Sequence, residues 1–123
     1  MSHQAVTINL THDALRDGSQ PVSESSKDVL TFYKRRWDEC RSGELAAWGG
    51  CIYYFEVASD GTVMRQMEIY DNGIVLQYHA NHIEDAFGFL TDLTIDLLEF
   101  SGFLIPRDEF EAAWNSHPPT DLA

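Results

Sequence analysis

The chain has 123 residues and carries 8 Lys and Arg against 20 Asp and Glu, a formal charge of −12. That length suits one domain, residues 1–123, whose core is large enough to hold without a metal or a disulfide. No apolar run nears the roughly 18–20 residues of a membrane span, and so acidic a chain is repelled by phosphate backbones, so neither a membrane nor a nucleic acid is expected as a partner.

The start, Met1 to Leu10, lacks the basic and long apolar regions of a secretory signal, which points to the cytoplasm. Residues 1–25 read as a loosely ordered segment, with a short strand suggested by the alternation of Val6, Ile8 and Leu10. Ser25 or Ser26 can cap a helix whose first turn holds Asp28. Val29, Leu30, Phe32, Tyr33, Trp37 and Cys40 recur at steps of three and four, and Gly43 offers a stop, so the spacing predicts a helix over 27–41. Cys40 and Cys51 are too few for a disulfide framework. Eleven residues apart, they could pair, but the roles of small reduced hydrophobes suit them better.

Residues 51–79 read as a three-stranded meander. Cys51 to Ala58 is followed by Asp60-Gly61, and Thr62 to Tyr70 by Asn72-Gly73; both dipeptides tolerate the positive φ of a two-residue hairpin turn. Pairing Ser59 with Thr62 sets Glu56 opposite Arg65, Tyr54 opposite Met67 and Ile52 opposite Ile69. Pairing Asp71 with Ile74 then sets Ile69 opposite Leu76 and Met67 opposite Tyr78. The expected core face is Ile52, Tyr54, Val63, Met67, Ile69, Leu76 and Tyr78, with helix 27–41 as its cover. The opposite face, with Tyr53, Phe55, Glu68, Tyr70, Val75, Gln77 and His79, is mixed, and is either half covered by the C-terminal segment or used for contact.

Residues 90–103 fit a helix and an extended loop equally. Pro106, Asp108 and Glu109 mark the start of a last helix, on which Phe110 and Trp114 share a face before His117-Pro118-Pro119 ends it. The expected fold is therefore α+β: an antiparallel meander of three or four strands covered by helix 27–41, with a short C-terminal helix at an edge or on the second face.

Motifs for chemistry are sparse. His79-x-x-His82-x-x-Asp85 has metal-ligand residue types but no fourth ligand, and reads as surface histidines in a connecting loop. Glu68, sharing a face with Tyr53, Tyr70 and His79, is the best placed carboxylate for a shifted pKa, although a half-exposed strand glutamate is more often only solvated. There is no nucleophile elbow and no phosphate loop, so neither catalysis nor a cofactor is expected. Charge is the stronger signal. The segment 84–115 belongs to a C-terminal third, residues 84–123, with nine carboxylates against one cation, Arg107, whereas 27–41 holds five of the eight basic residues. Such a field can simply confer solubility, or it can steer a basic protein. On the second reading Asp85, Asp92, Asp96 and Glu99 steer, Tyr53, Tyr70 and Phe87 anchor, and Glu68 adds to the same contact surface.

The run Arg65-Gln66-Met67-Glu68-Ile69-Tyr70-Asp71-Asn72-Gly73, then Asp85-x-x-Gly88-x-Leu90 and Glu109-Phe110-x-x-x-Trp114, resembles a group of small uncharacterised bacterial proteins that share this hairpin and closing helix. Some of that group resemble immunity proteins of bacterial toxin systems. The likeness spans about residues 53–115. It implies a shared fold, carries over no catalytic residue, and favours a toxin-neutralising role, for which the acidic C-terminal third points to a basic effector domain as partner. A small-molecule or peptide-binding module using the mixed sheet face is the other expectation.

Overall fold

The computed structural model describes residues 29–122; the expected strand around Val6 to Leu10 and the serine cap lie outside them. The fold is α+β and mostly sheet. Strands β1 (Leu30–Trp37), β2 (Cys51–Ala58), β3 (Val63–Tyr70) and β4 (Val75–Tyr78) form an antiparallel meander. A two-residue strand late in the chain, β7 (Leu104–Ile105), joins it outside β1 and gives five strands in the order β4-β3-β2-β1-β7. Between β4 and β7 lie a small hairpin of β5 (Glu84–Asp85) and β6 (Gly88–Phe89) and a 3-10 helix at Glu99–Phe103. The single α-helix among the described residues, α1, is Arg107–Ser116.

Helix 27–41 is corrected: residues 30–37 are strand β1, paired with β2 along its full length. Both faces of this strand are covered at its start, so the adjacent Phe32 and Tyr33 are each 3 % exposed, on opposite sides of the sheet. A strand buried on both faces loses its two-residue alternation, and the remaining apolar spacing imitates a helical stripe. The cover of the first face is instead α1. Its Phe110 and Trp114 stack 5.8 Å apart, and Phe110 meets Phe32 at 5.1 Å above Tyr54, Met67 and Val75. Residues 90–103 form a loop with a turn at Leu97–Leu98, followed by the 3-10 helix at Glu99–Phe103.

The β2–β3 register is as expected from Ile52 opposite Ile69 to Glu56 opposite Arg65. The Glu56–Arg65 pair is joined at 2.8 Å, and Arg65 also reaches Glu111 of α1 at 2.5 Å. The turn differs, because Ala58 N–H bonds Thr62 O and a bulge sets Val57 opposite Val63. That bulge moves Val63 to the second face, where it packs with Val57 and Phe55.

The second turn is also one residue longer than a two-residue hairpin. Tyr70 N–H bonds Ile74 O across the three residues Asp71-Asn72-Gly73, so Ile69 faces Val75 and Met67 faces Gln77. A one-residue slip inverts a strand. Leu76 and Tyr78, expected in the core beneath a helix, therefore lie on the second face, and Val75 and Gln77 take their places. Gln77 then lends its amide to the carbonyls of Trp114 (3.0 Å) and His117 (2.9 Å), which the end of α1 leaves without helical partners.

Candidate functional site

The second sheet face carries two layers of features: a buried polar cluster and a cleft above it. Alternation along β3 turns Gln66, Glu68 and Tyr70 to this side, opposite Phe55, Tyr53 and Cys51 of β2. Glu68 is 6 % exposed and accepts hydrogen bonds from Tyr70 Oη and from Gln66 Nε2, the latter at 2.7 Å. Burial pushes the Glu68 carboxyl above the usual carboxylate range, against the opposing pull of those two donors and of Arg41. Burial and then the Glu68 charge raise the Tyr53 and Tyr70 hydroxyls, and the same two causes push the Cys51 thiol up to about 11. Cys40 and Cys51 are both free.

Gln66 links this cluster to the chain above it. Its amide donates to Phe89 O at 3.2 Å and its carbonyl oxygen accepts from Thr91 N–H at 2.9 Å. Four residues on, Ile95 N–H bonds Gly61 O at 2.8 Å, in the β2–β3 turn. The arm from Thr91 to Ile95 is thus pinned at both ends. Gly61 has φ +92°, and a Cβ there would stand 2.8 Å from Ile95 O, so the close approach requires glycine.

Between this arm and β1 opens a cleft of about 510 Å³. Trp37, Tyr53, Phe55, Leu93, Ile95 and Phe100 give it apolar walls; Gln66 and Thr91 add polar atoms, and Glu39, Asp96 and Glu99 supply carboxylates. Among the described residues, Arg35 is the one cation of the lining. It bonds Glu99 at 3.1 Å and lies over the rings of Phe103, Phe100 and Trp37 at 4.5, 4.7 and 5.1 Å. Asp96 accepts from the amides of Leu98 and Glu99, at 3.0 and 3.1 Å, and so shapes the start of the 3-10 helix.

Of the residues singled out from sequence, Tyr53, Asp96 and Glu99 meet at this cleft. Asp92 is exposed on the same arm. Glu68 and Tyr70 are buried, at 6 % and 5 %, and support the face from within. Phe87 packs on Trp48 at 5.7 Å in a separate apolar cluster. Asp85 stands apart from the cleft, accepting from Tyr78 Oη and Phe87 N–H at 2.8 Å each and from Gly88 N–H at 3.1 Å. Burial draws its carboxyl up, but these bonds and His82 outweigh that and hold it below the usual range.

The slip in β4 also parts Glu68 from His79, which lies on the α1 face with its ring 6.1 Å from Trp114. His82 meets Asp85 at 3.1 Å, with the His79 ring 6.3 Å away, and among the described residues no group of His, Cys, Asp and Glu is arranged to hold a metal. No described helix is long and apolar enough to cross a membrane.

Arg35, Trp37 and Gln66 are site residues that the sequence reading passed over. Gln66 carried a usable signal, being polar on the mixed face two residues from Glu68; the others converge only through tertiary packing. Comparison with protein-family models, curated proteins and solved structures finds no match in any of the three.

Proposed function

We propose that this chain is a non-enzymatic inhibitor of the immunity type, acting in the cytoplasm, which neutralises a basic toxin effector domain by covering its cationic surface. The observation that supports this most is the cleft beside β1, where apolar walls from Trp37, Tyr53 and Phe55 meet the carboxylates Glu39, Asp96 and Glu99. Apolar walls give a partner side chain a desolvated seat, and the carboxylates favour a cationic one. Leu93 and Leu98, 58 % and 84 % exposed, add apolar contact area among the acids of the same stretch. The overall charge of −12 would speed encounter with a cationic surface such as that of a nuclease.

The test is stopped-flow association with a cognate basic effector domain, sought in the reading frames that neighbour this chain's own, over salt from about 50 to 500 mM. The association rate should fall steeply with salt. A salt-independent rate, or no association, would overturn the reading.

The cleft volume also supports a second reading, a peptide- or small-molecule-binding module, because about 510 Å³ lies within the range of ligand sites. That reading expects tight binding of a short ligand with no folded partner present.

A further inference from the structure

Building on the partner-binding reading of the cleft, we propose that the partner docks by laying an extended cationic segment along the open edge of β1 at Lys34–Trp37. Strand β1 pairs with β2 from Leu30 to Trp37, but on its other side β7 meets only Phe32 and Tyr33. Among the described residues, Lys34 to Trp37 therefore has a neighbouring strand on one side alone. Every second residue of an antiparallel edge turns its N–H and C=O outward, so two residues of this stretch offer backbone groups that no described strand pairs. An edge of this kind is a template for strand addition.

The edge is continuous with the cleft, because Arg35 and Trp37 belong to both. A strand added here would set alternate side chains over the second sheet face, at the cleft mouth. Basic residues in β1 would ordinarily discourage a cationic visitor. Here, however, Arg35 is answered by Glu99, and Arg36 by Asp38 and Asp71, at 2.8 and 2.6 Å, while Lys34 lies over the Tyr54 ring on the α1 face, away from the cleft. Glu39 and Asp96 line the cleft and make no ion pair among the described residues. The occupant that fits is an extended segment with lysine or arginine on the side turned to the cleft. Backbone pairing holds it, and the two carboxylates select its charge.

Amide hydrogen exchange on the full chain tests this, with the peptide Lys-Val-Lys-Val-Lys-Val as probe. Two further versions of the peptide are N-methylated on one or the other alternate set of amides. At saturation, exchange of two alternate amides within 34–37 should slow by about fivefold or more. One methylated version should bind about tenfold more weakly, since it cannot complete the backbone ladder. Equal binding by both methylated peptides would overturn the proposal, as would no binding at all. So would unchanged exchange at 34–37, or amides already protected in the free chain because residues 1–28 occupy the edge. Peptide binding weakened by Asp96→Asn without protection at 34–37 would remove strand addition while leaving the acidic-cleft reading standing.

Discussion

Arg36 grips Asp71 through both terminal nitrogens of its guanidinium, at 2.6 and 3.1 Å, and so ties β1 to the turn between β3 and β4. The same carboxylate accepts from Gly50 N–H at 2.8 Å, and Asp71 N–H returns a bond to Gly50 O at 3.0 Å. Arg36 and then Gly50 hold the Asp71 carboxyl below the usual range, so it stays ionised well into acid. The β1–β2 connection and the β3–β4 turn are thereby one unit, at the end of the sheet nearest Trp48.

Gly49 is the tight point of that unit. Its φ is +83°, and a Cβ would fall 2.6 Å from Asp71 Oδ2 and 2.7 Å from Asp71 Cβ. Gly49→Ala should cost about 1–3 kcal/mol, from left-handed strain together with displacement of the Asp71 side chain. Urea unfolding followed by tryptophan fluorescence measures it, and a loss below about 0.5 kcal/mol would show that the loop yields freely.

Arg65 and Glu111 should differ in weight although they are partners. Removing Arg65 leaves Glu56, 7 % exposed, as a buried charge without its counterion, so Arg65→Ala should cost about 3 kcal/mol or more. Glu111 is 36 % exposed at its side chain, and Glu111→Gln should cost less than about 1 kcal/mol. Chemical denaturation of the two variants side by side decides it; equal losses would show that the strand-to-helix contact with Glu111, not the buried glutamate, sets the cost.

Glu68 makes stability depend on pH with a definite sign. Its carboxyl titrates higher in the folded chain than the ordinary value of 4.5, so the folded state holds that proton more firmly than the unfolded state. The resulting contribution is present in acid and is lost as pH rises through the folded value. Glu68→Gln should therefore compare worst with the parent chain at low pH and gain on it towards neutrality. Urea midpoints of both proteins across that range test the sign, and a constant gap between them refutes it.

The cleft carboxylates should govern association more than folding. Asp96→Asn keeps an acceptor for the Leu98 and Glu99 amides, so the arm should hold its shape. Combined with Glu39→Gln, it should slow association with a basic effector by about tenfold at low salt and flatten the salt dependence. A double variant that associates as fast as the parent would place recognition elsewhere.

Much of the sheet was legible in its local chemistry. The aromatic and β-branched runs of β2 and β3, bounded by Asp-Gly and Asn-Gly, pointed to two hairpins, and Pro106 with Phe110 and Trp114 pointed to α1. Two errors share one cause: local signals were outweighed by distant contacts. Phe32 and Tyr33 are both buried because α1 covers one side and the Phe100 segment the other, which hid the strand period of β1. Asn72-Gly73 suggested a two-residue turn, but the turn includes Asp71, which is engaged by Arg36 and Gly50. That one residue turned β4 over and moved His79 away from Glu68. The cleft was illegible because its walls come from residues 35–39, 53–66 and 91–100, which no sequence spacing relates.

The arm anchored to Gln66 at one end and Gly61 at the other has a thermodynamic consequence. A loop that must settle around its guest surrenders conformational freedom at the moment of contact, and affinity suffers accordingly. This wall surrendered its freedom when the chain folded. What fits can be held at little further entropic cost, and what is misshapen meets a boundary slow to reshape itself in welcome.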